Sequence, residues 1–182
     1  NPDIDTDNDW KIHIVYTNND QNPDIIYSTN TNWNRNNNVV FDWDSTFDYS
    51  NGVPSVKSDS MWKIHIVATE TPIWSIEYNL VYYNEMNWIF DSWDAWNYPA
   101  LWLKKNSLAV DSMNNPYVIY NRSDWNNYIA NINDNWATFN LWTLDNPAIA
   151  IDWMWIWISY TDWWNIYYRR SNSGITSFWS TY

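Results

Sequence analysis

The chain has 182 residues and a mass of 22.0 kDa, with 46% hydrophobic and 16% charged residues, a net charge of −12 and a pI near 4.2. That length can bury one sizeable core, and nine scattered Lys and Arg exclude a phosphate-binding surface, which needs clustered cations. The absence of cysteine excludes disulfides and thiolate metal sites, and the most apolar stretch, Ile149 to Ile158, is interrupted by Asp152 and too short to span a membrane.

From the N-terminus the elements come in recurring units. Ile4 to Thr6 reads as a short strand, Asp7 to Lys11 as a polar turn, Ile12 to Tyr16 as a longer strand and Asp24 to Ser28 as a third. The same order returns from Val56, with the turn at Asp59 to Lys63 and the strand Ile64 to Ala68, and again from Leu108, with Asp111 to Asn115 and Tyr117 to Tyr120. A fourth copy runs from Ala148 through Asp152 to Tyr160 and on to Asn165–Arg170. A weaker fourth strand follows in places, as at Ala137 to Leu141, whereas the Asn-rich run Asn34 to Asn38 reads as a loop. Tyr16, Ala68, Tyr120 and Tyr160 are equivalent, at spacings of 52, 52 and 40 residues. Helical periodicity is absent, and three or four antiparallel strands per repeat of this size make a β-propeller blade. The expected fold is all-β: blades of a propeller with approximate repeats 1–50, 51–104, 105–145 and 146–182. With no initiating Met and both ends inside the pattern, the chain is expected to be part of a six- to eight-bladed ring.

The chain has 18 Trp and 2 Gly, and many Trp stand in polar turns: Trp10, Trp33, Trp62 and the pair Trp163-Trp164. Such turns call for φ > 0, which Gly supplies and a bulky side chain resists. Together with an AT-rich residue bias, this leads to the hypothesis that much of the Trp is glycine encoded by UGA in a variant code. The alternative is a chain that carries the Trp and strains its turns.

The segment Ala150-Ile151-Asp152 through Ile158-Ser159-Tyr160-Thr161-Asp162, then Asn165 to Thr176, resembles the sialidase-like propellers built from Asp-box (BNR) repeats. In that family a Tyr-Tyr-x-x-Ser strand leads into a Ser-x-Asp-x-Gly-x-x-Trp turn. Here Ser171 opens the box, Ser173 replaces its Asp and Gly174 comes one position early. The resemblance implies an exported or cell-surface bacterial protein that acts as a non-catalytic binding or scaffold module, with a glycan or another surface protein as partner. It equally implies an alternative, a fragment of a glycoside hydrolase with catalytic residues mostly outside this chain. Sialidase chemistry needs an arginine cluster, a Tyr–Glu pair and an acid–base Asp. The chain has only Arg35, Arg122, Arg169 and Arg170, none in such a context, so no catalytic residue is assigned.

Asp5, Asp7 and Asp9 alternate ahead of Trp10. With Gly at position 10 the run would open a calcium loop, although its twelfth position, which needs a bidentate acid, is Tyr16, and its ninth is His13. A solvated turn between two strands is the competing reading, and the missing ligands favour it. His13 and His65 occupy the same place in two repeats and are expected to fill one recurring packing slot. The tyrosines Tyr16, Tyr27, Tyr120, Tyr160 and Tyr167 are expected in or between blades.

Overall fold

The computed structural model of the chain describes residues 2–18, 25–30, 36–41, 47–48, 53–72, 78–86, 89–100, 106–121, 125–134, 137–153, 155–162, 165–171 and 179–181. Its β-branched and aromatic runs form antiparallel strands in four sheets, one per repeat. Blade 1 holds β1 (Asp3–Thr6), β2 (Ile12–Thr17), β3 (Ile25–Thr29) and β4 (Asn36–Phe41). Blade 2 holds β5 (Phe47–Asp48), β6 (Ser55–Ser58), β7 (Ile64–Pro72), β8 (Tyr78–Met86) and β9 (Ile89–Ala100), with β5 and β6 both pairing with β7. Blade 3 holds β10 (Ser107–Val110), β11 (Pro116–Asn121), β12 (Asn127–Asn131) and β13 (Ala137–Trp142), and blade 4 holds β14 (Asp145–Ile151), β15 (Ile156–Asp162), β16 (Asn165–Ser171) and β17 (Trp179–Thr181). Apart from the extra β5, neighbours in each sheet are consecutive in sequence, so each blade is a meander of hairpins.

The second strand of a blade is apolar at successive positions, as in Ile64-His65-Ile66-Val67-Ala68. Side chains alternate between the two faces of a strand, so this pattern buries both. Among the described residues three apolar clusters result, one between each pair of successive blades. Val15, Ile25 and Tyr27 of blade 1 meet Val56, Ile64, Ile66, Ala68, Val81 and Tyr83 of blade 2. The opposite face of blade 2, with Val67, Leu80 and Tyr82, meets Leu108, Val118, Tyr120 and Ala130 of blade 3. Ala109, Tyr117, Ile119 and Ile129 on the far side of blade 3 then meet Ile149, Ile156 and Ile158 of blade 4. Tyr27 and Tyr120 are buried as expected, while Tyr16, Tyr160 and Tyr167 are only half-buried.

The expected loop at Asn34 to Asn38 is corrected in part. Asn36, Asn37 and Asn38 belong to β4, opposite Thr29, Ser28 and Tyr27. The ladder offered by β3 outweighs the poor strand propensity of Asn, a preference that context readily overrides. Trp33, Trp163-Trp164 and the Asp-box residues Ser173 and Gly174 lie outside the described residues.

The hairpin turns confirm the glycine-like geometry at two of the singled-out tryptophans. Trp10 and Trp62 have φ of 62° and 63°, and the equivalent residue of blade 3, Asn114, has 65°. Each is the last residue of a three-residue hairpin loop, a position that wants the left-handed region and usually holds Gly. Trp125 and Trp142, outside these loops, also have left-handed backbone, at 67° and 66°. Asn visits this region readily and Trp does not.

Candidate functional site

Each turn between the first two strands of a blade is built on one aspartate. Asp7 Oδ1 accepts the N–H groups of Asp9 and Lys11, both at 2.9 Å. Asp59 Oδ1 takes those of Met61 and Lys63 at 2.8 and 2.9 Å, and Asp111 Oδ1 those of Met113 and Asn115 at 2.9 and 2.8 Å. In blade 4 the turn is one residue shorter, and Asp152 Oδ1 accepts the Trp155 N–H, at 2.7 Å.

The other carboxylate oxygen holds a side chain from the following strand. In blade 1 it is His13, with Nε2 at 3.3 Å from Asp7 Oδ2, and in blade 2 it is His65, at 3.2 Å from Asp59 Oδ2. In blade 3 Asp111 Oδ2 accepts instead from Asn115 Nδ2 of its own turn at 3.0 Å, with Tyr117 beside the same carboxylate, and in blade 4 the Trp157 indole N–H donates to Asp152 Oδ2 at 3.0 Å. The expected recurring slot for the two histidines is thus present in all four blades. A carboxylate only accepts, so Nε2 of His65, hydrogen-bonded to Asp59, carries the proton, and a tyrosine hydroxyl meets Nδ1 of each ring. That hydroxyl belongs to Tyr27, at 2.6 Å, in blade 1 and to Tyr82 in blade 2.

Burial pushes the His13 and His65 pKa values below the usual 6.5, against the opposing pull of Asp7 and Asp59. Burial would raise Asp7, but the backbone donors of Lys11 and Asp9 together with His13 outweigh it and hold the carboxyl below 3.8. Tyr82 is pushed up strongly by its burial, and Tyr117 is raised by burial and by Asp111.

The three aspartates of the candidate calcium turn diverge. Asp5 lies in β1, and its Oδ1 accepts from Lys57 Nζ at 2.9 Å while Oδ2 accepts from the Ser58 N–H at 2.7 Å, both on blade 2. Asp7 caps the turn, and Asp9 is exposed with Lys11 Nζ 3.7 Å away. Among the described residues no group of three or more His, Cys, Asp or Glu is placed to hold a metal ion. Arg169 donates to the Leu141 carbonyl at 3.0 Å and lies over the Tyr160 ring, while Arg170 lies over Trp155 and Trp157. Both therefore serve packing within blade 4 and against blade 3, and Arg35 and Arg122 lie outside the described residues.

The first strands of the four blades line an open cavity of about 440 Å³ at the end that carries the aspartate turns. Two equivalent positions per blade line it: Asp5 and Thr6, Lys57 and Ser58, Ala109 and Val110, Ala150 and Ile151. Blades 1 and 2 supply a wall of hydrogen-bonding groups, extended by Asn8, Asp59 and Ser60, whereas blades 3 and 4 supply an apolar wall with Ile149. The turns at its mouth are tied together: Ser60 donates from its hydroxyl to Asn114 Oδ1 at 2.8 Å, and Ser58 from its hydroxyl to the Thr6 carbonyl at 3.3 Å. Of the cavity residues only Asp5 belongs to a motif that the sequence marks as a candidate site. The signal was the pair of positions preceding each turn, which changes from polar to apolar between the second and third repeats.

No protein-family model and no curated protein sequence matches the chain. Solved structures do. An endo-arabinase from Bacteroides thetaiotaomicron superposes with a TM-score of 0.63 at 13% identity, over 99% of this chain and 78% of the enzyme. An exo-β-1,3-galactanase from Phanerochaete chrysosporium gives 0.61 at 13% identity, over 99% of this chain and 49% of the enzyme. The chain is a β-propeller. It spans about half the length of the galactanase and of a GH43 β-1,3-galactosidase, 98% of this chain covering 48% of the latter with a TM-score of 0.60 at 9% identity. The rings of such neighbours have five blades, fewer than the six to eight expected from the sequence. These enzymes are not sialidases, so they support the propeller and leave the Asp-box family without support.

Proposed function

We propose that this propeller is a non-catalytic carbohydrate-binding module of a secreted or surface protein, and that its ligand enters the axial cavity at the turn end. The observation that carries this reading is the division of the cavity into a polar and an apolar wall. A sugar ring needs both, hydrogen-bond partners around its edge and an apolar surface under its face. The bound saccharide is neutral: Lys57, the one Lys or Arg among the residues that line the cavity, is already paired with Asp5, so the lining offers no cation to a carboxylate. The solved neighbours are named for galactan and arabinan, which makes β-1,3-galactan and arabinan oligosaccharides the first ligands to try.

Two features support binding over cleavage. A glycosidase needs two facing carboxyl groups free to exchange protons. Here Asp5 is tied to Lys57 and Ser58, and Asp59 is buried under two backbone N–H groups and His65. The hydrolase reading is retained because the neighbours are hydrolases by name, and it places the acid and base elsewhere in the protein. Calorimetric titration of the protein with the two oligosaccharides, followed by assay of released reducing sugar, separates the readings. Binding that Ser60→Ala and Ile151→Asp weaken, without sugar release, is expected. Release of sugar favours the hydrolase, and unchanged affinity in both variants removes the cavity as the binding site. Among the described residues no helix is long and apolar enough to cross a membrane.

A further inference from the structure

The four blades present one equivalent side chain each to the cavity: Asp5, Lys57, Ala109 and Ala150. Alanine fills the place in blades 3 and 4, so the fold itself requires no charge there. An ion pair between partly exposed groups adds little to stability, and the side chains of Lys57 and Asp5 are 36% and 19% exposed. The pair is also held in place. Asp5 Oδ2 accepts the Ser58 N–H at 2.7 Å, with the Ser58 hydroxyl 3.1 Å away, and Oδ1 accepts Lys57 Nζ at 2.9 Å. An ammonium has three donors and a carboxylate oxygen about two acceptor sites. Among the described residues Lys57 gives one donor to Asp5, and Oδ1 takes Lys57 alone. Donors and an acceptor therefore stand side by side on the polar wall, fixed in position and with charges that cancel.

We propose that Asp5 and Lys57 read a vicinal diol of the saccharide, an inference that rests on the carbohydrate-binding reading of this cavity and names the part of the sugar it holds. Two hydroxyls on neighbouring ring carbons, when gauche, stand about one hydrogen-bond length apart, as Nζ and Oδ1 do. One hydroxyl donates to Asp5 Oδ1 and the other accepts from Lys57 Nζ, both as charge-assisted bonds, the stronger kind. The ring then turns a C–H face to Val110 and Ile151 on the apolar wall. This requirement selects the ligand. In a 1,3-linked pyranose chain each internal ring has O3 in the linkage and keeps O2 and O4, which are not neighbours, whereas the ring at the non-reducing end keeps O2, O3 and O4. A 1,5-linked arabinofuranose chain keeps O2 and O3, but holds them trans and splayed on a five-membered ring. The cavity is thus a site for a pyranose chain end with adjacent gauche hydroxyls.

Calorimetric titration of the protein compares the methyl glycoside of β-1,3-galactobiose with the same compound made 3-deoxy in its terminal ring. The methyl group blocks the diol at the reducing end, so the deoxygenation removes the last adjacent hydroxyls. A loss of affinity of roughly 10- to 100-fold is expected, as for a hydrogen bond to a charged group. In Lys57→Met the parent compound should fall to the level of the deoxy compound, so that the ratio between the two collapses. In Ser60→Ala, which alters the same wall outside the pair, the ratio should persist. Equal affinity of the two compounds for the unaltered protein overturns the inference and leaves the cavity as a saccharide site. A ratio that survives in Lys57→Met overturns it as well, since the diol is then read by other groups. Binding of the arabinan oligosaccharide alone overturns it while the carbohydrate reading stands, and binding of none of the three compounds overturns both.

Discussion

Trp10, Trp62, Trp125 and Trp142 each hold a left-handed backbone and an exposed indole, so each bears the steric cost of the conformation without the return of burial. That cost is roughly 1–2 kcal/mol for a residue with a Cβ, against about 0.5–1 kcal/mol that glycine forfeits in chain entropy. Trp62→Gly is therefore expected to stabilise by about 0.5–1 kcal/mol and Trp62→Ala to give no such gain, as read from urea midpoints. If the four are glycine in the cell, their codons are UGA and the mass of the protein from its native host falls accordingly; UGG at positions 10 and 62 would sink the recoding idea. Trp157 is a discriminating control. Its indole donates to Asp152 and lies under Arg170, so it is expected to be UGG, and Trp157→Gly to destabilise. The buried histidines make a second prediction at this scale. With folded values below 6.5, His13 and His65 take up protons in the unfolded chain before they do in the folded one. Stability is then complete above about pH 6.5 and falls as the pH drops from there towards the folded values. The depressed Asp7 works in a lower window, its contribution present above 3.8 and lost as the pH falls through its folded value. Chemical denaturation at a series of pH values should show a slope below pH 6.5 that flattens in the His13→Gln/His65→Gln variant, and an unchanged slope would contradict the assignment.

At the scale of the element, the aspartate turn is the unit that repeats. Asp59 satisfies two backbone N–H groups and one histidine from a side chain almost wholly buried, so Asp59→Ala strands three donors. A loss of roughly 2–4 kcal/mol is expected. Asp152 holds the Trp155 N–H and the Trp157 indole at an exposed site, so Asp152→Ala should cost about 1 kcal/mol or less. Equal losses in the two variants, measured by urea denaturation, would show that the shared pattern does not carry shared energetics. The turn was legible in the sequence because Asp7, Asp59, Asp111 and Asp152 recur at fixed distances from apolar strands, and hairpin geometry admits few residue choices there. The slot was only half legible. Two histidines at one repeat position announced it, but Tyr117 and Trp157 stand at the same place beside their aspartates with different chemistry, which no comparison of residue types exposes. The Asn36 to Asn38 strand was hidden because its pairing comes from β3, a neighbour whose contribution local composition cannot report.

Across the whole molecule, one position ties each blade to the next. Asp3 Oδ2 accepts the Val56 N–H at 3.0 Å, the Ser55 hydroxyl donates to the Asn106 carbonyl at 2.9 Å, and Ser107 Oγ accepts the Ile149 N–H at 3.0 Å. Asp3, Ser55 and Ser107 are equivalent, and the cavity between the strands they hold is a product of this stitching. The repeat spacing revealed the blades but not the cavity, since its polar and apolar walls exist only once four separate strands converge. Because each blade packs on its neighbours alone, damage should spread by position in the row. Leu80→Ala removes a fully buried side chain from the middle cluster and is expected to cost roughly 2–5 kcal/mol. Asp5→Ala instead frees Lys57 and Ser58 at the first junction, and it should loosen blade 1 while blades 3 and 4 keep their protection. Hydrogen exchange resolved by segment tests this: Asp5→Ala should speed exchange in β1 to β4 first, and Leu80→Ala in blades 2 and 3. If both variants instead speed exchange evenly through all four blades, the propeller opens as one cooperative unit, and the stitching position then acts on the ring as a whole.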